Sequence, residues 1–284
     1  MIWRSHICSR PPLSCGSAEL PTQAEGLCRG LPQTLDVEQA FSLFFAAGPV
    51  GKASIALIVA CALPLAAGSV AGKIELRDSK DSTVSKKMDY SGVVVWLEPV
   101  NAAIAPPAPA RARMVQKDKT FIPHILAIRT GATVDFPNFD PIFHNAFSNY
   151  DGKIFDVGLY PPGSSRSVNF SRPGVVRVFC NIHAAMSAVI VALNTPYFTA
   201  SSKNGGFEIP SVPPGEYMLR IFHERATEAT LNAAARRITV TADPLALAPI
   251  PVSESGYLAI PHKNKFGRDY SGEPDDAAYP AVHK

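Results

Sequence analysis

The sequence predicts an all-β fold built as two sandwiches, the second smaller than the first. Three observations support this. Beyond residue 71 the apolar stretches are short, rich in β-branched residues and mostly alternating. Proline (26) and glycine (19) are frequent and spread out, so turns recur every few residues and leave no room for long helices. No segment sustains a 3.6-residue apolar period. A chain of 284 residues with 46% hydrophobic content can build one large or two small cores. Its net charge of +3, with no basic runs, argues against a nucleic-acid partner.

Residues 1–71 read as a leader. Lys52 precedes the apolar run 53–67, and small residues (Gly68, Ser69, Ala71) follow it, as in a secretory signal with its cleavage zone. The run is about 15 residues, short of the roughly 20 that span a bilayer, so no stable membrane span is expected. Export to the periplasm follows as the expectation. Ile58-Val59-Ala60-Cys61 resembles a lipidation box, but the apolar run continues past Cys61, which makes an anchor there the minor alternative. Residues 1–49 exceed an ordinary n-region. Translation from a start near Val50 would leave them unmade, and N-terminal sequencing of the precursor tests that. Four of the five cysteines (Cys8, Cys15, Cys28, Cys61) fall in the leader, so Cys180 stands alone in the exported chain, buried, reactive or metal-bound.

The elements follow in order. Gly72–Leu76 and Gly92–Leu97 are β-branched strands that can belong to either sandwich, and if they complete the second, the first is an insertion within it. Residues 101–110 form an Ala/Pro linker that a sheet cannot hold. Arg113–Phe121, His124–Arg129 and Thr133–Phe136 are strands, the last two joined by the turn Thr130-Gly131-Ala132. Ser165–Phe170 alternates, Arg172-Pro173-Gly174 turns the chain into Val175–Phe179, and Ser187–Leu193 returns. Residues 72–194 therefore read as the first domain. Residues 195–252 read as the smaller β-sandwich, with strands at Gly206–Ile209, Tyr217–Phe222 and Arg237–Thr241. From residue 253 to 284 the polar, Lys/Asp/Gly/Pro-rich composition predicts a disordered tail.

The chemistry concentrates in Cys180-Asn181-Ile182-His183-Ala184-Ala185-Met186, with His144 lying 36 residues upstream of the cysteine and Asn145 beside it. A thiolate, two imidazoles and a thioether form the ligand set of a blue-copper site, in which a His₂Cys plane with a weak axial Met suits both copper oxidation states. A strand ending at Phe179 delivers Cys180, a tight loop carries His183, Met186 opens the returning strand, and His144 arrives from a neighbouring strand end. Asn145 is placed to brace the ligand loop through its side chain. Zinc is the rival metal, but its sites rarely use Met. The remaining histidines read as structural (His124), superficial (His223) and solvated in the tail (His262, His283).

The stretch from Val93 to Leu193 resembles the cupredoxins, specifically the plastocyanin/amicyanin-like proteins of the methylamine-utilization type. The Cys-x2-His-x2-Met loop carries the resemblance, together with Phe121-x-Pro123 and the block Gly131-x-Thr-Val-Asp-Phe-Pro-Asn-x-Asp-x-x-x-His-Asn145. Ala184-Ala185 depart from it, since bulkier residues occupy such loops. The resemblance implies a Greek-key sandwich holding one type 1 copper, with His144, Cys180 and His183 equatorial and Met186 axial. It implies a carrier that moves single electrons from a donor enzyme to a c-type cytochrome, docking near an exposed His183. Gly205-Gly-Phe-Glu-Ile-Pro-x-Val-Pro-Pro-Gly-Glu-Tyr217 is similar to carboxypeptidase regulatory-like (transthyretin-like) domains. The chain is not expected to be an enzyme, because a nucleophile and base usually come from distant segments with a third group orienting the base. The rival reading is a non-redox copper binder, or a sandwich that binds a partner or glycan.

Overall fold

The computed structural model of the chain describes residues 67–106, 108–149, 152–258 and 261–270. The leader up to residue 66, with its cysteines, lies outside them, as do the last fourteen residues including His283. Among the described residues no helix is long and apolar enough to cross a membrane.

The fold is all-β, with two sandwiches as expected. In the first, one sheet runs Ser165–Asn169, Thr133–Pro137, Arg111–Arg113. The other runs Ile125–Arg129, Ser187–Leu193, Gly174–Phe179, Phe147–Ser148, Phe155–Asp156. Their inner faces enclose a core that includes Met114, Phe136, Tyr160, Phe170, Val178 and Ile190.

In the second sandwich, Gly68–Arg77 pairs antiparallel with Gly206–Val212 and parallel with Leu245–Ala246 and Ile250–Ser253. The facing sheet runs Phe198–Ala200, Val94–Pro99, Gly215–Phe222, Arg236–Val240. Of the two placements open to the strands between residues 72 and 97, the pairings take the second: both are built into the C-terminal sandwich. Residues 72–194 therefore do not form one unit. The first sandwich is inserted between Val94–Pro99 and Phe198–Ala200, which pair antiparallel.

The runs Val93–Leu97 and Ala188–Leu193 are continuously apolar because both faces of each are covered. Val93, Val95 and Leu97 point into the second core, and Ala188, Ile190 and Ala192 into the first. The alternate residues Val94, Val189, Val191 and Leu193 meet Phe222 in a third cluster, where the two sandwiches press sheet against sheet. Strand alternation thus assigns each residue of these runs to one side or the other.

Two short helices, Ser82–Lys87 and Glu228–Ala234, were not legible as periodic segments. Each is specified at its start instead: Asp81 accepts from the Thr83 N–H at 2.8 Å and Thr227 from the Thr230 N–H at 3.2 Å. Gly205 has a requirement of its own. Its φ is +83° and a Cβ there would lie 2.1 Å from the Ile74 carbonyl oxygen, so no side chain fits.

The tail expectation fails at its near end. Ile250–Ser253 is a strand along Gly68–Arg77, Glu254 is buried, and residues 261–270 lie against the first sandwich. Polar composition concealed this because the segment is held mainly by hydrogen bonds to backbone and polar groups.

Candidate metal centre

Strand parity brings the ligand residues inward. Gly174–Phe179 and Ser187–Leu193 pair antiparallel from Gly174↔Ala192 to Phe179↔Ser187. Val176 and Val178 face the core, so Cys180 continues that face two residues on. Met186, Ala188 and Ile190 do the same on the returning strand. The loop between them is closed by Cys180 N–H to Met186 C=O at 3.1 Å and Met186 N–H to His183 C=O at 3.0 Å. His144 enters from the opposite side, bridged to Tyr160 by reciprocal backbone bonds of 3.2 and 2.9 Å.

Cys180 Sγ lies 3.9 Å from His144 Nδ1 and 3.6 Å from His183 Nδ1, and the three ligand atoms all fall within 4.8 Å of one another. A metal bonded to sulfur and nitrogen at ordinary lengths in a trigonal plane would set S and N about 3.8 Å apart. The cage therefore fits a three-coordinate N₂S plane. Met186 is buried in the same core cluster as Cys180, which places a thioether among the surroundings of a soft-ligand site.

His144 is fixed in the form a metal needs. Its Nε2 lies 2.7 Å from Asp140 Oδ2, with both side chains nearly or fully buried. That carboxylate also accepts the backbone N–H groups of Asp118 (2.6 Å) and Lys119 (2.9 Å), the two left-handed residues of the hairpin turn between Val115–Lys117 and Thr120–Ile122. Burial pushes the Asp140 carboxyl up. The Lys119 N–H, the His144 ring and the Asp118 N–H outweigh it and hold the group below the usual carboxylate range. Burial drives His144 the other way, below the usual imidazole range, despite Asp140. An ionised carboxylate can only accept, so the proton of the neutral ring sits on Nε2 and the Nδ1 lone pair faces the sulfur.

Burial raises the Cys180 thiol, against hydrogen bonds to sulfur from the backbone N–H groups of Ile182, Asn145 and His183. Burial outweighs them and keeps the proton on the sulfur until a cation replaces it.

Each expected residue has a definite place. His144, Cys180 and His183 converge. The bond that Asn145 makes through its amide goes not to the ligand loop, as expected, but to Asp156: its side-chain N–H₂ donates to Asp156 Oδ1 at 2.7 Å. His183 is 4% exposed, so it is not the solvent-facing ring that docking was expected to use. His262 is not solvated either: it stacks on Phe179 with ring centroids 3.9 Å apart. His223, expected at the surface, is buried against Glu254 at 2.8 Å.

Sequence reasoning missed Asp140, Asp156 and Tyr270. Asp140 stands four residues before His144 in the quoted block, but on an irregular turn that spacing obeys no rule. Asn138 makes the turn, accepting from the Asp140 N–H at 3.0 Å and donating to the Ile142 carbonyl at 2.8 Å.

No protein-family model and no curated protein matches the sequence. Among solved structures, a Cu-containing nitrite reductase from Thermus scotoductus SA-01 aligns at 26% identity over 34% of this chain and 25% of its own, with a TM-score of 0.28. A purple cupredoxin from Nitrosopumilus maritimus aligns at 22% identity over 30% of this chain and 99% of its own, with a TM-score of 0.26. An oxidized mutant of amicyanin aligns at 15% identity over 28% of this chain and 80% of its own, with a TM-score of 0.27. The chain thus spans a quarter of the nitrite reductase and most or all of the two smaller proteins. At such TM-scores the candidate metal centre rests on its own residues, a buried His-Cys-His cluster whose three ligand atoms could hold one metal ion.

Proposed function

We propose that the chain is a type 1 copper protein that carries single electrons, exported to the periplasm and not itself an enzyme. The observation that carries this reading is the convergence of His144 Nδ1, Cys180 Sγ and His183 Nδ1 in a buried, preformed cage. Copper, when bound, supplies reversible one-electron exchange between its two oxidation states. The protein's part is to hold the ligands still. Asp140 locks the His144 tautomer, and the core around Cys180 and Met186 excludes water. A cage already in place before loading leaves little to rearrange when charge changes, which is what a carrier needs.

Its partners on this reading are a donor enzyme and a c-type cytochrome, meeting the end of the sandwich that carries the ligand loop. Phe139, 62% exposed and next to Asp140, gives that end an apolar contact suited to brief, small-area encounters. The C-terminal sandwich is read as a carboxypeptidase regulatory-like module.

A second reading, copper binding without turnover, is favoured by the burial of His183. Self-exchange kinetics of the loaded protein separate the two.

The test is a visible spectrum after Cu(II) addition, with Cys180→Ala alongside. An intense blue band lost in the variant supports a type 1 site. No band, or a band indifferent to the variant, overturns it.

A further inference from the structure

Residues 261–270 begin eight residues past the last strand of the second sandwich and end up on the ligand loop of the first. The segment is ordered by its own bonds. The Asn264 side-chain oxygen accepts the N–H groups of Phe266 (3.0 Å) and Arg268 (3.1 Å), Asn264 N–H donates to the Arg268 carbonyl at 2.9 Å, and Lys263 pairs with Asp269 at 2.5 Å. Such a closed turn reaches its target with little left to order.

Its contacts fall on the metal cage from two sides. On the ligand loop, Tyr270 donates its hydroxyl to the Cys180 carbonyl at 2.7 Å. Lys265 N–H donates to the Asn181 side-chain oxygen at 3.0 Å, and the His262 Nε2–H meets the Ala184 carbonyl at 2.8 Å. The His262 ring lies flat on Phe179, the residue before Cys180, at an interplanar angle of 24°. On the His144 side, Lys265 Nζ pairs with Asp156 Oδ2 at 2.8 Å, and Asp156 Oδ1 holds Asn145 at 2.7 Å. One short segment thus grips the backbone or side chains of residues 179, 180, 181 and 184, and reaches residue 145 through a single carboxylate.

The seven-residue loop is closed by two backbone bonds of its own, Cys180 to Met186 and Met186 to His183. The pair Ala184-Ala185 adds no bulk to it. Residues 261–270 add contacts from outside the sandwich.

We infer that residues 261–270 act as a clamp on the ligand loop, with His262 and Tyr270 as positioning residues that hold Cys180 and His183 in the metal-ready arrangement. The inference rests on the copper reading for its purpose but not for its test.

The experiment uses the full chain without metal. Alkylation of Cys180 by iodoacetamide is timed by peptide mass spectrometry, which separates this cysteine from those of the leader. Tyr270→Phe deletes one hydroxyl and keeps the ring; His262→Ala deletes the stack and the bond to Ala184; His262→Phe restores the stack alone. Arg268→Ala, on an exposed residue whose side chain makes no described contact with the loop, is the control. Each of the first two variants is expected to speed alkylation about tenfold, with His262→Phe between His262→Ala and the unaltered chain. Unaltered far-UV dichroism and thermal midpoint confirm the fold. Rates equal to the control in both variants overturn the clamp. Because no metal is present, a failure of the copper reading leaves this result intact. With copper loaded, the same variants are expected to surrender Cu(I) to bathocuproine faster.

Discussion

His124 ties the two sandwiches together through Glu224. The imidazole Nε2 lies 2.9 and 2.8 Å from the two Glu224 oxygens, and its Nδ1 lies 3.0 Å from the carbonyl of Ser187, the residue after Met186. The bond to Glu224 raises the ring above its ordinary value of 6.5, against burial. For Glu224 burial acts upward, and the bond to His124 outweighs it and leaves the carboxyl low. A raised folded-state value stabilises fully below 6.5 and is lost as pH climbs through the raised value. The Glu224 contribution is lost instead on acidification, as the carboxyl protonates. Thermal stability should therefore fall as pH rises from neutral into the alkaline range, by about 0.5–1 kcal/mol once solvent at the half-exposed ring is allowed for. Glu224→Gln should flatten that slope. An unchanged slope would show that the bridge contributes nothing.

Asp140 sets the tautomer of His144, so Asp140→Asn should weaken copper binding about 10–100-fold while leaving the fold in place. The two turn N–H groups bond to different carboxylate oxygens, so the single amide oxygen keeps only one of them in place, and an N–H₂ turned to Nε2 favours the wrong ring form. Competition against a chelator of known affinity reads the change.

Loading the cage must expel the Cys180 proton, because burial keeps the thiol protonated in the metal-free protein. Copper affinity should rise with pH, about tenfold per unit while the thiol remains protonated. Calorimetry in buffers of different ionisation enthalpy should show close to one proton released. Cys180→Ser should abolish both the release and the blue band.

Ile190 is fully buried in the first core, whereas Val175 is 37% exposed on the neighbouring strand. Ile190→Ala should cost about 2–5 kcal/mol. Val175→Ala should stay within about 0.5 kcal/mol. Denaturant unfolding followed by fluorescence distinguishes them.

The candidate cluster was legible because its chemistry is rare and its loop is short. Cys180, His183 and Met186 sit within seven residues, and His144 is set off by the block before it. The strands were legible by alternation, and the doubly apolar runs Val93–Leu97 and Ala188–Leu193 announced burial on both faces without saying against what. What stayed hidden depends on contacts distant in sequence. Nothing in Asp140 points to the turn at Asp118-Lys119 that it holds, and nothing in His262 or Tyr270 points to Cys180. Polar composition reads as solvation unless its partners are known, so the segment 261–270 looked like tail. The assignment of strands 72–97 depended on pairing with residues more than a hundred positions away, which alternation cannot specify.

The antiparallel pairing of Val94–Pro99 with Phe198–Ala200, closed by the Leu97 N–H to the Tyr197 carbonyl at 2.9 Å, has a topological consequence. The half that carries the His144–Cys180–His183 cluster leaves and rejoins its host through two strands that lie side by side. A gene edit that joins residue 97 to residue 197 would remove that half as a cassette, and the host strands would remain neighbours across the cut.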